Sequence, residues 1–330
     1  MANATIYDVA GKAQVSLATV SRVLNNPEKV NVETRERVLR VIKELGYRPN
    51  AIARGLASRK TTTVGIVLSD VTRASTSQLL GGIMDIAKKY NYSIKLFATA
   101  GEQEFEDVLR TVVSEQVDGI LFLDDELTQD QMELCRTTFE EANIPMVLTN
   151  ALFDNKNIPA VMVDYKQAAY DVTKLLIDQG RKDIFLISTV RRFSVNVEKE
   201  RGYTEAMVDA GLEPRIFKTS GVLAINSQHF HEYFAHNNID GAVVVRDSIA
   251  VSFMNAILDL GKSVPEDCAV VGFQNTKYAV LARPGLTCVD TPVYDIGAVA
   301  MRLLTKIMKQ EEVDNISIKL PHTIVKRKSA

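Results

Sequence analysis

From Thr61 onward the chain repeats one pattern, a short apolar run followed by a longer segment with apolar residues every three or four positions. TVGIVL (63–68), YSIKLF (92–97), GILFL (119–123), PMVLT (145–149) and AVMVD (160–164) read as buried strands. DIFLIS (183–188), GAVVVR (241–246), CAVVGF (268–273) and TCVD (287–290) form a second series. Between them the spacing predicts helices over 78–90, 103–116, 165–179, 198–210, 249–260 and 294–310. Strands that alternate with helices pair in parallel and are covered on both faces. About 270 residues suit two such subdomains better than one. No apolar run reaches the ~18 residues of a membrane span, and MANATIYDVA lacks the basic and apolar regions of a signal peptide. Cys135, Cys268 and Cys288 lie far apart without CxxC spacing, which fits a reducing cytoplasm. The expected location is cytoplasmic, with no membrane partner.

The first 60 residues differ in charge. They hold 11 Lys and Arg against 5 Asp and Glu, net +6, while the remainder holds 28 against 36, net −8. A basic head on an acidic body points to a polyanion partner. Thr5 is placed to cap a helix, with Asp8 three residues later and Ile6, Val9, Ala10 and Ala13 at helical spacing. After a turn at Gln14–Val15, Ser16 caps a second helix whose inward face is Val20, Val23 and Leu24. Leu17, Ala18, Ser21 and Arg22 then point away from that face. A third helix from Val32 to Leu45 carries Val38, Leu39, Ile42 and Leu45 on one side and stops at Gly46. This is a helix-turn-helix pattern, in which the second helix enters the major groove. Pro49 breaks the chain, and Asn50 caps a further short helix to about Ala57. Such a helix needs a partner, since it is too short to hold alone in water.

The stretches TIYDVA (5–10), VSLATVSRVLN (15–25), TRERV (34–38) and LGYRPNAIARGLASRKTTTVG (45–65) resemble the lactose/galactose-repressor (LacI/GalR) family of bacterial transcription regulators. The resemblance implies an α/β chain in three parts: a three-helix helix-turn-helix head (1–48), a hinge helix (49–60) and a core (61–330). The core would be a type I periplasmic-binding-protein architecture of two doubly wound parallel-sheet subdomains. The first spans about 61–161 plus 291–320, the second about 162–290 plus 321–330. The resemblance further implies a homodimer on a pseudopalindromic, double-stranded DNA operator. Leu17, Ala18 and Arg22 would read bases, and Thr5, Ser16, Thr19, Ser21 and Asn25 would hold phosphates. Asn50, Ala53, Arg54 and Leu56 would lie in the minor groove, with Leu56 opening the central step.

TPVYDIGAVAMRLLTKIM (291–308) and LPHTIVKRKS (320–329) resemble the catabolite-control branch of the family. That branch answers a protein corepressor, the phosphocarrier HPr phosphorylated on a serine. By this resemblance Tyr294, Asp295, Arg302 and Lys306 form a partner-facing helix, with Arg302 on the phosphoserine. Asp85, Lys89 and Tyr90, on the helix 82–90, would add contacts from the other subdomain. Sugar-sensing members often carry an arginine three residues before Gly202-Tyr203, where this chain has Lys199. They usually read Gly-Phe/Tyr-Asp at a strand end, where this chain has GFQNT and so Gln274. Asp247 is retained, either as an effector contact or as a cap of its own helix. A sugar or sugar-phosphate effector in this cleft is the alternative to the phosphoprotein.

Neither metal nor cofactor is called for. His229, His231 and His236 cluster in SQHFHEYFAHNN, but His229 and His231 would point about 200° apart on a helix. No Gly-rich phosphate loop and no nucleophile-elbow motif is present, so an enzyme is not expected. A carbohydrate-binding module without a regulatory role would leave Arg22 and Leu56 without purpose.

Overall fold

The computed structural model describes residues 4–47, 61–99, 105–123, 128–152 and 157–330. By contacts the chain divides into two units, Met1–Thr61 and Thr62–Ala330.

The first unit is built from α1 (Ile6–Ala13), α2 (Leu17–Asn25) and α3 (Val32–Leu45), with a 3₁₀ turn at Pro27–Lys29. Its core is Val9, Ala10, Ala13, Val20, Val23, Val38 and Val41. On α3 the buried residues are Val38 and Val41, whereas Leu39, expected inward, is 46% exposed. Positions 38, 41, 42 and 45 make one stripe of a 3.6-residue helix, and position 39 lies about 100° off it. Gly46 ends α3 at φ 59°, a left-handed conformation that costs glycine little.

The second unit holds two six-stranded sheets among the described residues. The first contains β1 (Thr63–Leu68), β2 (Ser93–Ala98), β3 (Gly119–Phe122), β4 (Met146–Thr149), β5 (Ala160–Val163) and β11 (Ser317–Leu320), in the order β11-β5-β4-β3-β1-β2. The second contains β6 (Ile184–Thr189), β7 (Arg215–Thr219), β8 (Gly241–Val244), β9 (Ala269–Phe273), β10 (Thr287–Asp290) and β12 (Thr323–Val325), in the order β12-β10-β9-β8-β6-β7. All pairings are parallel except β10 with β12. The strands near the sheet centres are continuous apolar runs because both faces are covered.

In the first subdomain, α4 (Ala74–Lys89) and α12 (Val293–Met308) cover one face with Leu79, Ile83, Ile296, Met301 and Leu304. α5 (Phe105–Ser114) and α6 (Gln129–Glu141) cover the other with Val108, Leu109, Val112, Met132, Cys135 and Phe139. In the second, α7 (Tyr165–Asp178), α8 (Ser194–Asp209), α9 (Leu223–Phe234), α10 (Asp247–Asp259) and the short α11 (Lys277–Leu281) surround the sheet. Phe230 and Phe234 of α9 join Phe185, Phe217 and Phe253 in an aromatic cluster. His229 is therefore exposed on the outer side of a core helix, and His236, also exposed, lies just beyond its end. Among the described residues no three His, Cys, Asp or Glu side chains come together as a metal site.

The chain crosses between subdomains at Asp164, at Thr291–Pro292 and at Pro321–His322. Lys319 on β11 pairs with Asp164 at 2.9 Å, and His322 meets Asp171 of α7 at 3.0 Å. Among the described residues no helix is long and apolar enough to cross a membrane.

Candidate DNA-reading head and partner face

The head positions its reading helix by caps. Thr5 Oγ1 accepts from the Asp8 backbone N–H at 3.3 Å, and Asp8 Oδ2 accepts from the Thr5 N–H at 2.7 Å. This reciprocal pair fixes the start of α1. The Thr5 bonds also hold the Asp8 carboxyl below its ordinary pKa. Gln14 turns the chain at φ 53°, and Ser16 Oγ accepts from Thr19 N–H at 3.2 Å to start α2. With Val20 and Val23 buried, Leu17, Ala18 and Arg22 are exposed along one side of α2, and Thr19 and Ser21 are half-buried. The side chain of Asn25, and all of Asn50, Ala53, Arg54 and Leu56, lie outside the described residues. Tyr7, which the sequence reading passed over, is 70% exposed on α1. Its signal was a large ring off the Ile6, Val9, Ala10 stripe.

The candidate partner face is built on α4 and α12. A Cβ on Gly82 would sit 2.0 Å from the Tyr294 carbonyl oxygen, and one on Gly297 would sit 2.2 Å from that of Leu79. The two helices thus meet backbone to backbone, and both lie on the first subdomain. This corrects the expectation that Asp85, Lys89 and Tyr90 come from the other subdomain. α12 follows a strand of the second sheet, yet Ile296, Ala300 and Leu304 bury against the first. Gly81 and Gly82 fall in mid-helix, because α4 begins at Ala74 rather than at the expected 78.

The close approach lets the Tyr294 hydroxyl donate to Asp85 Oδ2. That bond raises the phenol's pKa, with Asp85 its main cause. Asp295, Arg302 and Lys306 are exposed along α12, with half-buried Val299 between. No ion pair among the described residues holds Arg302 or Lys306. Lys309 Nζ sits 4.8 Å over the Tyr90 ring, at the end of α4. Met84, 57% exposed beside Asp85, is an apolar side chain on the same surface that the sequence did not single out. The signal was a methionine off the buried stripe of its helix.

The three cleft residues separate. Gln274, at φ 98°, lines a cavity of about 60 Å³ at the strand ends, together with Asp70, Arg73, Thr149 and Asn150. Lys199 and Asp247 do not line it, and each is 1% exposed. Lys199 Nζ donates to Val245 O at 3.0 Å and lies over the Phe273 and Tyr165 rings at 4.7 and 5.0 Å. Asp247 Oδ2 accepts from the Thr276 N–H at 2.6 Å and the Thr276 hydroxyl at 2.9 Å. It therefore ties α10 to the start of α11; the cap position of its own helix is Arg246. Burial pushes the Asp247 carboxyl up to about 6, against the pull of the Thr276 bonds and the Lys199 charge.

Comparison with known proteins agrees with this architecture. Residues 5–50 match the model of bacterial regulatory proteins of the lacI family, and residues 173–330 match the periplasmic binding protein-like domain. The chain is 40% identical to catabolite control protein A of Priestia megaterium over 99% of both chains. It is 38% identical to the HTH-type transcriptional regulator pepR1 of Lactobacillus delbrueckii subsp. lactis, over 98% of this chain and 97% of that one. The crystal structure of the transcription regulator CcpA of Lactococcus lactis superposes with a TM-score of 0.72 at 35% identity, covering 81% of this chain and 98% of that one. A chain so similar along its whole length, with an intact capped head and a two-sheet core, belongs to the LacI family of DNA-binding transcription regulators.

Proposed function

We propose that this regulator serves carbon catabolite control, binding a pseudopalindromic operator as a homodimer with an affinity raised by serine-phosphorylated HPr. The observation that carries the reading is the α4–α12 face, where Arg302 and Lys306 stand exposed beside the Asp85–Tyr294 pair. Likeness to catabolite control protein A supports it. Arg302 forks onto the phosphoserine oxygens, and Lys306 adds charge. Asp85, Lys89, Tyr90, Tyr294 and Asp295 complete the contact, with Met84 as an apolar anchor.

On DNA, Leu17, Ala18 and Arg22 meet base edges. Thr5, Ser16, Thr19, Ser21 and Asn25 hold phosphates, with Tyr7 beside them. Asn50, Ala53, Arg54 and Leu56 act as the hinge between a head of 1–48 and a core of 61–330. The homodimer is supported by Val280 and Leu281, exposed by 57% and 69% on α11, and by Val222 and Ile225 at 52% and 45%. Partner binding selects the dimer geometry in which two hinges pair on DNA. No catalytic step is assigned, and the site of action is the cytoplasmic nucleoid.

The test is fluorescence anisotropy on a labelled operator at fixed salt, with protein alone, with serine-phosphorylated HPr and with sugar phosphates. The phosphoprotein should tighten binding about tenfold or more, and Arg302→Ala should abolish that gain while basal binding stays. A response to a sugar phosphate alone would replace this reading with the effector-cleft alternative.

A further inference from the structure

We infer that Arg327 is a positioning residue of the cleft: its guanidinium clamps the Asn275 side chain and, through that neighbour, holds Gln274 in the strained backbone it adopts at the cleft wall. Gln274 and Asn275 follow β9 in the stretch GFQNT, at φ 98° and 53°. Two consecutive side chains at positive φ are uncommon, and 98° lies beyond the small left-handed region that side chains tolerate. Such a conformation costs free energy and persists only where the surroundings over-determine it. Gln274 lines the cavity at the strand ends, whereas Asn275 and Arg327 do not. The strain therefore sits at the residue that faces the cleft, and its restraint comes from residues set back from it.

The turn is held at three successive residues. The Gln274 N–H donates to Val289 O of β10 at 2.8 Å. Thr276, 2% exposed, donates its N–H and its hydroxyl to Asp247 Oδ2 at 2.6 and 2.9 Å. Between them, Asn275 Oδ1 accepts from Arg327 Nη2 at 2.6 Å, with the weaker Cys288 thiol at 3.5 Å. Arg327 is itself fixed before it reaches the turn. Its Nη1 donates to Leu286 O at 2.8 Å and meets Cys288 Sγ at 3.2 Å. Its backbone N–H donates to Thr287 Oγ1 at 2.8 Å. Two residues on, the buried Ser329 Oγ accepts from the Thr287 N–H at 2.8 Å and donates to Val270 O at 2.6 Å. A guanidinium carries its donors in one rigid plane, so the nitrogen bound at Leu286 aims the other at Asn275. In VKRKS the lysines on either side are exposed, and only Arg327 of the three cations is half-buried. A glutamine amide both donates and accepts, so what it can recognise depends on its direction. Fixing that direction beforehand lowers the ordering cost of any contact made there. Arg327 accordingly shapes the cleft wall without lining it.

This step does not rest on the HPr reading, and its readouts involve neither operator, HPr nor effector. Amide exchange over 272–277 is followed in the full-length chain for wild type, Arg327→Ala, Arg327→Lys, Gln274→Gly and the Gln274→Gly/Arg327→Ala double variant. Arg327→Ala should speed exchange in that segment about tenfold or more, as the turn opens locally. Arg327→Lys, which keeps the charge but loses the fork, should fall between. Loss of simple packing would give the same two results, so Gln274→Gly decides. Glycine takes φ 98° without strain, so this variant should exchange no faster than wild type. With the strain gone there is less for the arginine to hold, and Arg327→Ala in that background should speed exchange by about threefold at most. Should Arg327→Ala fail to fold, Asn275→Ala removes the same bond from the other side and is read in the same two backgrounds. Three results would each overturn the inference. They are unchanged exchange in Arg327→Ala, an equal effect of that change in both backgrounds, and a Gln274→Gly chain that exchanges as fast as Arg327→Ala.

Discussion

The α4–α12 face and the subdomain cleft are made from the same kinds of residue, arranged to opposite ends. In the cleft region Lys199 and Asp247 are sealed and face protein groups, and Arg73 lies on a phenylalanine ring. On the face, Asp295, Arg302 and Lys306 stand in solvent along one helix. Buried charge needs partners at hand, because leaving water is expensive. Exposed charge costs little to keep and stays ready for a partner. The difference is one of commitment: the interior charges hold a shape, and the surface charges remain open to solvent.

The strongest way to break that contrast is to push the two helices apart. Gly82→Val would drive a side chain into the Tyr294 carbonyl, where even a Cβ lies 2.0 Å away. A loss of about 3 kcal/mol or more is expected in urea unfolding, at the upper end of overpacking effects. Gly297→Val should behave alike, its Cβ being 2.2 Å from the Leu79 carbonyl. Wild-type stability in either variant would show that the helices slide freely, and the face would lose its fixed geometry.

The second experiment sharpens the cleft side. Asp247 is raised from 3.8 to about 6 when folded. Its stabilising contribution is therefore fully present below 3.8 and lost as pH rises through about 6. Asp247→Asn removes that titration while its amide oxygen still accepts from Thr276. The variant should gain on wild type between pH 4 and 7, by about 3 kcal/mol at most, since the lost attraction of Lys199 works against it. The readout is the difference between the two urea-stability profiles over pH, in which the other carboxylates cancel. A flat difference would mean that Asp247 is solvated and the cleft is open.

These contrasts also show what could be read from sequence. The central strands were legible because burial on two faces leaves runs such as TVGIVL and GILFL. β7, β11 and β12 were missed, since edge strands such as RIFKT and SIKL keep polar residues facing solvent. α4 begins four residues before the expected start because ASTS carries no apolar stripe. Lys199 and Asp247 were found as residues, Lys199 as an effector contact and Asp247 as an effector contact or a cap, but the protein groups they face were not. Which way a side chain turns at a strand end depends on what packs there, here Phe273, Tyr165 and Thr276. That α4 and α12 meet backbone to backbone was hidden for the same reason. Gly82 and Gly297 are plain in the sequence, but their pairing spans most of the chain.

The head offers a smaller test, of local structure alone. Thr5→Ala deletes the cap of α1 and should cost about 1 kcal/mol in the melting of the first unit. Thr5→Ser should restore most of it. A loss in operator binding from Thr5→Ser, with stability kept, would show that the threonine methyl is read by DNA rather than by the helix.

The smallest expected effect on stability is the one that bears most on function. Arg302 is exposed on α12 with no ion pair among the described residues. Arg302→Ala should therefore shift unfolding by less than about 0.5 kcal/mol. If the face works as proposed, the same change abolishes the response to a phosphoserine partner, because a guanidinium fork is not replaced by its neighbour Lys306. Lysine at 302 should then recover only part of the response, as a point charge without the fork. A destabilisation comparable to that of Gly82→Val would instead place Arg302 among the structural charges. The contrast between a face that waits and a cleft that holds would then fail at its most exposed residue.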